Sequence, residues 1–133
     1  MFDTLAKLCA LLSMKVTICT RTREAYASGD RAKLDAIIAD YKKMIRMTRA
    51  FYNAFRTQWY TENKPQGFQV QDTRLGGLMQ RMQNCLDMLI AYRDGKIDAI
   101  PELEEEIVPF AQGVVCNNAW SECTGTNLYG YLW

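Results

Sequence analysis

The chain has 133 residues, of which 49% are apolar and 23% charged, with a formal net charge of +1. This is the size of one domain with a real core, and the composition excludes an intrinsically disordered segment. Near-neutrality gives no electrostatic reason to expect nucleic acid or an anionic membrane as a partner, and no apolar run approaches the ~20 residues that span a bilayer.

Apolar residues recur at helical spacing from about Asp3 to Ala27, with Leu5, Leu8, Leu12, Val16, Cys19 and Tyr26 near one stripe. Asp3, Lys7 and Lys15 interrupt this stretch, so it is not read as a signal peptide. Gly29 is a stop signal, and Asp30 is suited to cap the next helix because its carboxylate can accept from an orphan amide. The second predicted helix is long, about Arg31 to Tyr60. Leu34, Ile37, Ile38, Tyr41, Ile45, Thr48, Tyr52, Phe55 and Trp59 keep its period, opposite a solvated basic face of Lys33, Lys42, Lys43, Arg46, Arg49 and Arg56. Pro65 and Gly67 end it, since proline lacks an amide donor and glycine tolerates positive φ.

A third helix is expected from about Thr73 to Arg93, capped by Asp72, with Leu75, Leu78, Met79, Met82, Leu86, Leu89 and Ile90 as its stripe and Gly95 as its C-terminal cap. Pro101 opens a short fourth helix whose glutamates, Glu102 and Glu104 to Glu106, suit the positive end of a helix dipole, and Pro109 stops it. From Ala111 the period dissolves, while Trp120, Tyr129, Tyr131 and Trp133 keep the segment aromatic. The expected fold is therefore all-α: an antiparallel three-helix bundle with a short fourth helix, over residues 1–110, and an irregular aromatic-rich tail, 111–133, that packs on another domain or partner.

The chemistry-bearing residue types are few. With no histidine, His-based triads, His general bases and Cys/His zinc sites are excluded. The five cysteines, Cys9, Cys19, Cys85, Cys116 and Cys123, are odd in number and lack a CxxC spacing. They read as buried, reduced thiols of a cytoplasmic protein. No Gly-rich phosphate loop or GxSxG elbow is present, so no catalytic residue, metal ligand or cofactor site is assigned. Gly76-Gly77 reads as a close approach for a neighbouring helix, and the methionines as core filling. The exception to this plainness is the stretch Trp59 to Gly77, richer in directed polar groups than a helix connection requires. Trp59, Asn63, Lys64, Asp72 and Arg74 are its candidate contact residues. Taken alone, they fit a self-contained turn, a docking surface or a small carbohydrate site.

The same stretch carries a resemblance. The W-x-x-x-N-K-P-x-G-F segment from Trp59 to Phe68, the run Gln71-Asp72-Thr73-Arg74-Leu75-Gly76-Gly77-Leu78 and Arg81 are similar to the C-terminal helical domain of a subset of family 20 glycoside hydrolases, the β-N-acetylhexosaminidases. Arg23-Glu24-Ala25-Tyr26 with Gly29-Asp30, and Ile100-Pro101-Glu102-Leu103-Glu104-Glu105, extend the similarity over about Leu5 to Ile107. Such enzymes hydrolyse terminal β-linked N-acetylglucosamine or N-acetylgalactosamine on a (β/α)₈ barrel, using the substrate's own acetamide as nucleophile and an adjacent Asp-Glu pair. This chain has no Asp-Glu dipeptide and no eight-strand pattern. The resemblance thus implies a non-catalytic accessory domain that supports the catalytic barrel of the same polypeptide and the contacts of a homodimer near the active-site mouth. The competing reading is a free-standing helical interaction module.

Overall fold

The computed structural model describes residues 2–106. Three long helices follow one another, α1 (Phe2–Ser28), α2 (Arg31–Glu62) and α3 (Phe68–Arg93), before the single turn α4 (Pro101–Glu104). The predicted all-α architecture and helix order hold, and no strand occurs among the described residues. The tail, residues 111–133, and Pro109 lie outside them.

The turns follow from local chemistry. Asp30 caps α2, its carboxylate accepting from the amides of Ala32 at 2.8 Å and Lys33 at 3.4 Å. Gly29 and Gly95 adopt left-handed φ at the ends of α1 and α3, where a Cβ would be strained. The third helix departs from expectation. It begins at Phe68 with Gly67 as its N-cap, so Asp72 sits inside the helix and does not cap it. The apolar period of α3 starts earlier than its Leu/Met stripe indicates, because its first core residue is the aromatic Phe68.

α2 packs closely along both α1 and α3, whereas the backbones of α1 and α3 stay farther apart and these helices meet through side chains, Tyr26 on Tyr92 at 4.8 Å. The core joins Leu34, Ile38, Tyr41 and Met44 of α2 to Met82, Cys85 and Leu89 of α3 and to Ile18 and Ala25 of α1. Of the stripe residues expected inside, Ile45 and Leu78 are half-buried; Leu34, Ile38, Tyr41, Met82 and Leu89 are fully buried. Burial pushes the Cys85 thiol up to about 12 and keeps it protonated and inert. Cys9, in contrast, is exposed, against the expectation of buried thiols.

The face of α1 is the clearest correction. Leu11, Ile18, Thr22 and Ala25 point inward, while Leu5, Leu12 and Val16 of the expected stripe are exposed. Thr22 made the inner face hard to recognise: its hydroxyl is buried because it bonds the Ile18 carbonyl at 2.7 Å, which removes the cost of burying it.

The fourth element braces α1 against α3, beside the point where the Tyr26 and Tyr92 rings meet at 4.8 Å. Ile100 and Leu103 enter the core, and Arg23 of α1 donates to the carbonyls of Glu102, Leu103 and Glu105 at 3.2, 3.1 and 3.1 Å. These carbonyls lie at and just beyond the end of a four-residue helix, where orphan acceptors need partners. Tyr26 adds a hydroxyl that donates to Glu104 and accepts from the Ile100 amide. Arg81 of α3 pairs with Glu102 from the other side at 3.5 Å. Replacing Arg23 by lysine keeps the charge and loses the fork, and is expected to destabilise the domain by about 1.5–3 kcal/mol, the range for a hydrogen bond to a charged group. Urea midpoints at unchanged slope measure this, and a shift below ~0.5 kcal/mol would make Arg23 a bystander.

Candidate functional site: the elbow between the second and third helices

The elbow is built around one ring. Phe68, the first residue of α3, is fully buried with its centroid 5.5–5.9 Å from those of Tyr52, Phe55, Trp59 and Tyr60 of α2. These are tilted arrangements, which suit the ring quadrupoles better than face-to-face stacking. Phe55 meets Trp59 edge-on at 5.9 Å and stacks on Phe51 at 5.7 Å, so the aromatic cluster runs back along α2.

The spacing of the motif now has a physical reading. The Trp59 indole N–H donates to the Lys64 carbonyl at 3.0 Å, drawing the returning chain over the end of α2. Asn63 closes that helix with its backbone amide on the Trp59 carbonyl at 2.8 Å. Gly67 then takes φ +99°, and a Cβ placed there would sit 3.4 Å from the indole edge. The backbone conformation favours glycine at this position, while a Cβ would make only ordinary contact with the indole. The Gln69 side chain accepts from the Gly67 amide at 2.8 Å, supporting a helix start that lacks a conventional side-chain cap.

The five candidate residues therefore separate. Trp59, Asn63 and Lys64 come together in the elbow, with Asn63 and Lys64 exposed and Trp59 half-buried. Asp72 and Arg74 lie within α3. Asp72 accepts from the Tyr52 hydroxyl at 2.7 Å, and this bond is the main reason the Tyr52 phenol is held above its ordinary value. Trp59 is engaged by the Phe55 and Phe68 rings and by the Lys64 carbonyl.

Sequence reasoning missed the exposed apolar residues around the elbow, Tyr60 and Val70, at 53% and 44% of full exposure. The start of α1 lies at this same end of the bundle: Asp3, Thr4 and Lys7 face Thr57, Thr61 and Glu62 across an open groove of about 600 Å³. Phe2 and Leu5 are exposed there too. A second groove, about 400 Å³, runs between α2 and α3 past Tyr52, Asp72, Gly76 and Met79. Gly76 has no atom within 4 Å of a would-be Cβ, so it does not serve the close helix approach expected of it; it leaves the groove floor open. Among the described residues no group of His, Cys, Asp and Glu could hold a metal ion, and no described helix is long and apolar enough to cross a membrane.

Gly67→Ala is expected to destabilise the domain by about 1–3 kcal/mol, the cost of forcing an L-residue into left-handed backbone, and to quench no core contact elsewhere. Thermal unfolding monitored by tryptophan fluorescence measures it; an unchanged midpoint would show that the elbow tolerates other backbone.

Residues 1–119 match the family model described as the Glycoside Hydrolase 20C C-terminal domain. No curated protein matches the chain.

Proposed function

The chain belongs to the glycoside hydrolase 20C C-terminal domain family, and from that premise we propose that it is the non-catalytic helical domain of a β-N-acetylhexosaminidase, supporting the catalytic barrel of the same polypeptide and the contacts of a homodimer. The observation that carries this reading is the elbow end of the bundle. Tyr60, three residues before Asn63, and Val70, three residues after Gly67, are exposed on either side of the turn that carries exposed Asn63 and Lys64. Interfaces combine apolar and hydrogen-bonding groups, with aromatics at the centre and polar residues at the rim. The elbow's interior, by contrast, satisfies its own packing through Phe68, Trp59 and Gly67. What it presents outward is therefore what remains for a partner.

Nothing in the chain supports chemistry of its own. It has no histidine and no Asp-Glu pair, and in the one dense acidic stretch the Glu102 carboxylate pairs with Arg81 and that of Glu104 accepts from Tyr26. Asn63 and Lys64 are read as donors across the interface and Trp59 as the post that positions them. Asp72 acts through Tyr52, and Arg74 contributes from within α3.

The isolated chain is expected to leave a chromogenic N-acetylglucosaminide unhydrolysed above the buffer rate; turnover would end the accessory-domain reading. In the full-length enzyme, Tyr60→Ser combined with Lys64→Ala is expected to weaken dimerisation by about tenfold or more, as truncation of an aromatic interface anchor does, and to lower kcat/KM with helicity unchanged. If dimer mass by sedimentation and kcat/KM both stay at the parent values, the elbow is structural only.

A further inference from the structure

α1 carries a second apolar face that nothing in the described structure covers. Phe2, Leu5, Cys9, Leu12 and Val16 are all exposed, Phe2 at 82% and Val16 at 76%. They are spaced alternately three and four residues apart, which places them on one row along the helix. The row spans about 21 Å at 1.5 Å per residue. Asp3 and Lys7 flank the start of the row and pair with each other, while from Leu8 to Thr20 no exposed residue carries a charge and the sole ionic side chain, Lys15, is half-buried. A solvated helix face carries charged and polar groups, so an uncharged apolar row of this length marks a contact surface.

The geometry points to this row as the seat of the parent enzyme's catalytic barrel, packed along α1 from Phe2 to Val16. The assignment rests on the accessory-domain reading and specifies the face that reading leaves open. In a C-terminal domain the polypeptide arrives from the preceding domain through the first helix, and the family match includes α1 in full. The tether holds the barrel beside α1 at high effective concentration, an advantage no free partner has. The outer layer of a (β/α)₈ barrel is itself a ring of helices, and rows three and four residues apart are the ridges that seat one helix in the grooves of another. The lack of exposed charge from Leu8 to Thr20 also fits a permanent contact, because lasting interfaces are the more apolar ones. Phe2 and Leu5 bring the row to the elbow end of the bundle, so the barrel contact and the elbow surface adjoin.

Cys9 lies in the middle of the row and reports on it directly. The probe is a maleimide, with modification at Cys9 read by peptide mass mapping in the isolated 133-residue chain and in the full-length enzyme. Labelling at Cys9 is expected to be about tenfold or more slower in the full-length enzyme, since a covered thiol reacts only when the contact opens. Leu12→Glu with Val16→Glu should restore fast labelling there while leaving the helicity of the isolated chain unchanged. Equal labelling rates in the two proteins overturn the assignment. Protection already present in the isolated chain also overturns it: if it grows with concentration the occupant is a second copy, and if it does not the occupant is residues 107–133. An enzyme in which no barrel precedes the domain would instead defeat the accessory-domain reading itself.

Discussion

The bundle closes through one guanidinium. α1 and α3 each lie along α2 with their backbones apart, leaving a gap that the Tyr26–Tyr92 ring contact bridges only in part. Arg23 fixes the wedge that fills it, gathering three backbone carbonyls of the α4 turn while Ile100 and Leu103 drop into the core beneath. A lysine offers a point charge, whereas the planar fork of arginine can serve several acceptors at once. Four helical residues have little stability of their own. Their position is set by the side chains of α1 and α3 that hold them.

This explains why two separated sequence blocks belong together. Arg23-Glu24-Ala25-Tyr26 and Ile100 to Glu105 meet across nearly eighty residues, Arg23 and Tyr26 contacting the turn from α1. The elbow block is likewise one physical unit: Trp59, Gly67 and Phe68 define each other's positions. Both units lie at helix junctions, where a bundle needs specific geometry, while the helix interiors require only correctly spaced apolar volume.

Helix order and the first half of the α2 face were legible because Leu34, Ile38 and Tyr41 repeat cleanly against an exposed basic face. α1 was misread because it is apolar on two sides. Leu5, Leu12 and Val16 form a more hydrophobic row than the inner one, which includes Thr22 and Ala25, and periodicity selects the stronger row. Asp72 resembled an N-cap by residue type, but Gly67 and the pull of Phe68 into the aromatic cluster begin α3 a full turn earlier. Of the five candidate contact residues, Trp59, Asn63 and Lys64 lie together at the Pro/Gly turn. That Asp72 pairs with Tyr52 could not be read from spacing, because it depends on how α2 and α3 face each other.

The length of α2 has a mechanical consequence. Its 32 residues span about 48 Å, and the Arg23 junction and the elbow lie toward opposite ends of that rod. At physiological ionic strength charges are screened within about 8 Å, so neither end can sense the other through its electric field. What connects them is stiffness: a continuous helix, packed on both neighbours, moves as one body. A tilt imposed at the elbow is therefore delivered at the far end as a displacement, and the domain behaves as a strut between the surfaces it touches.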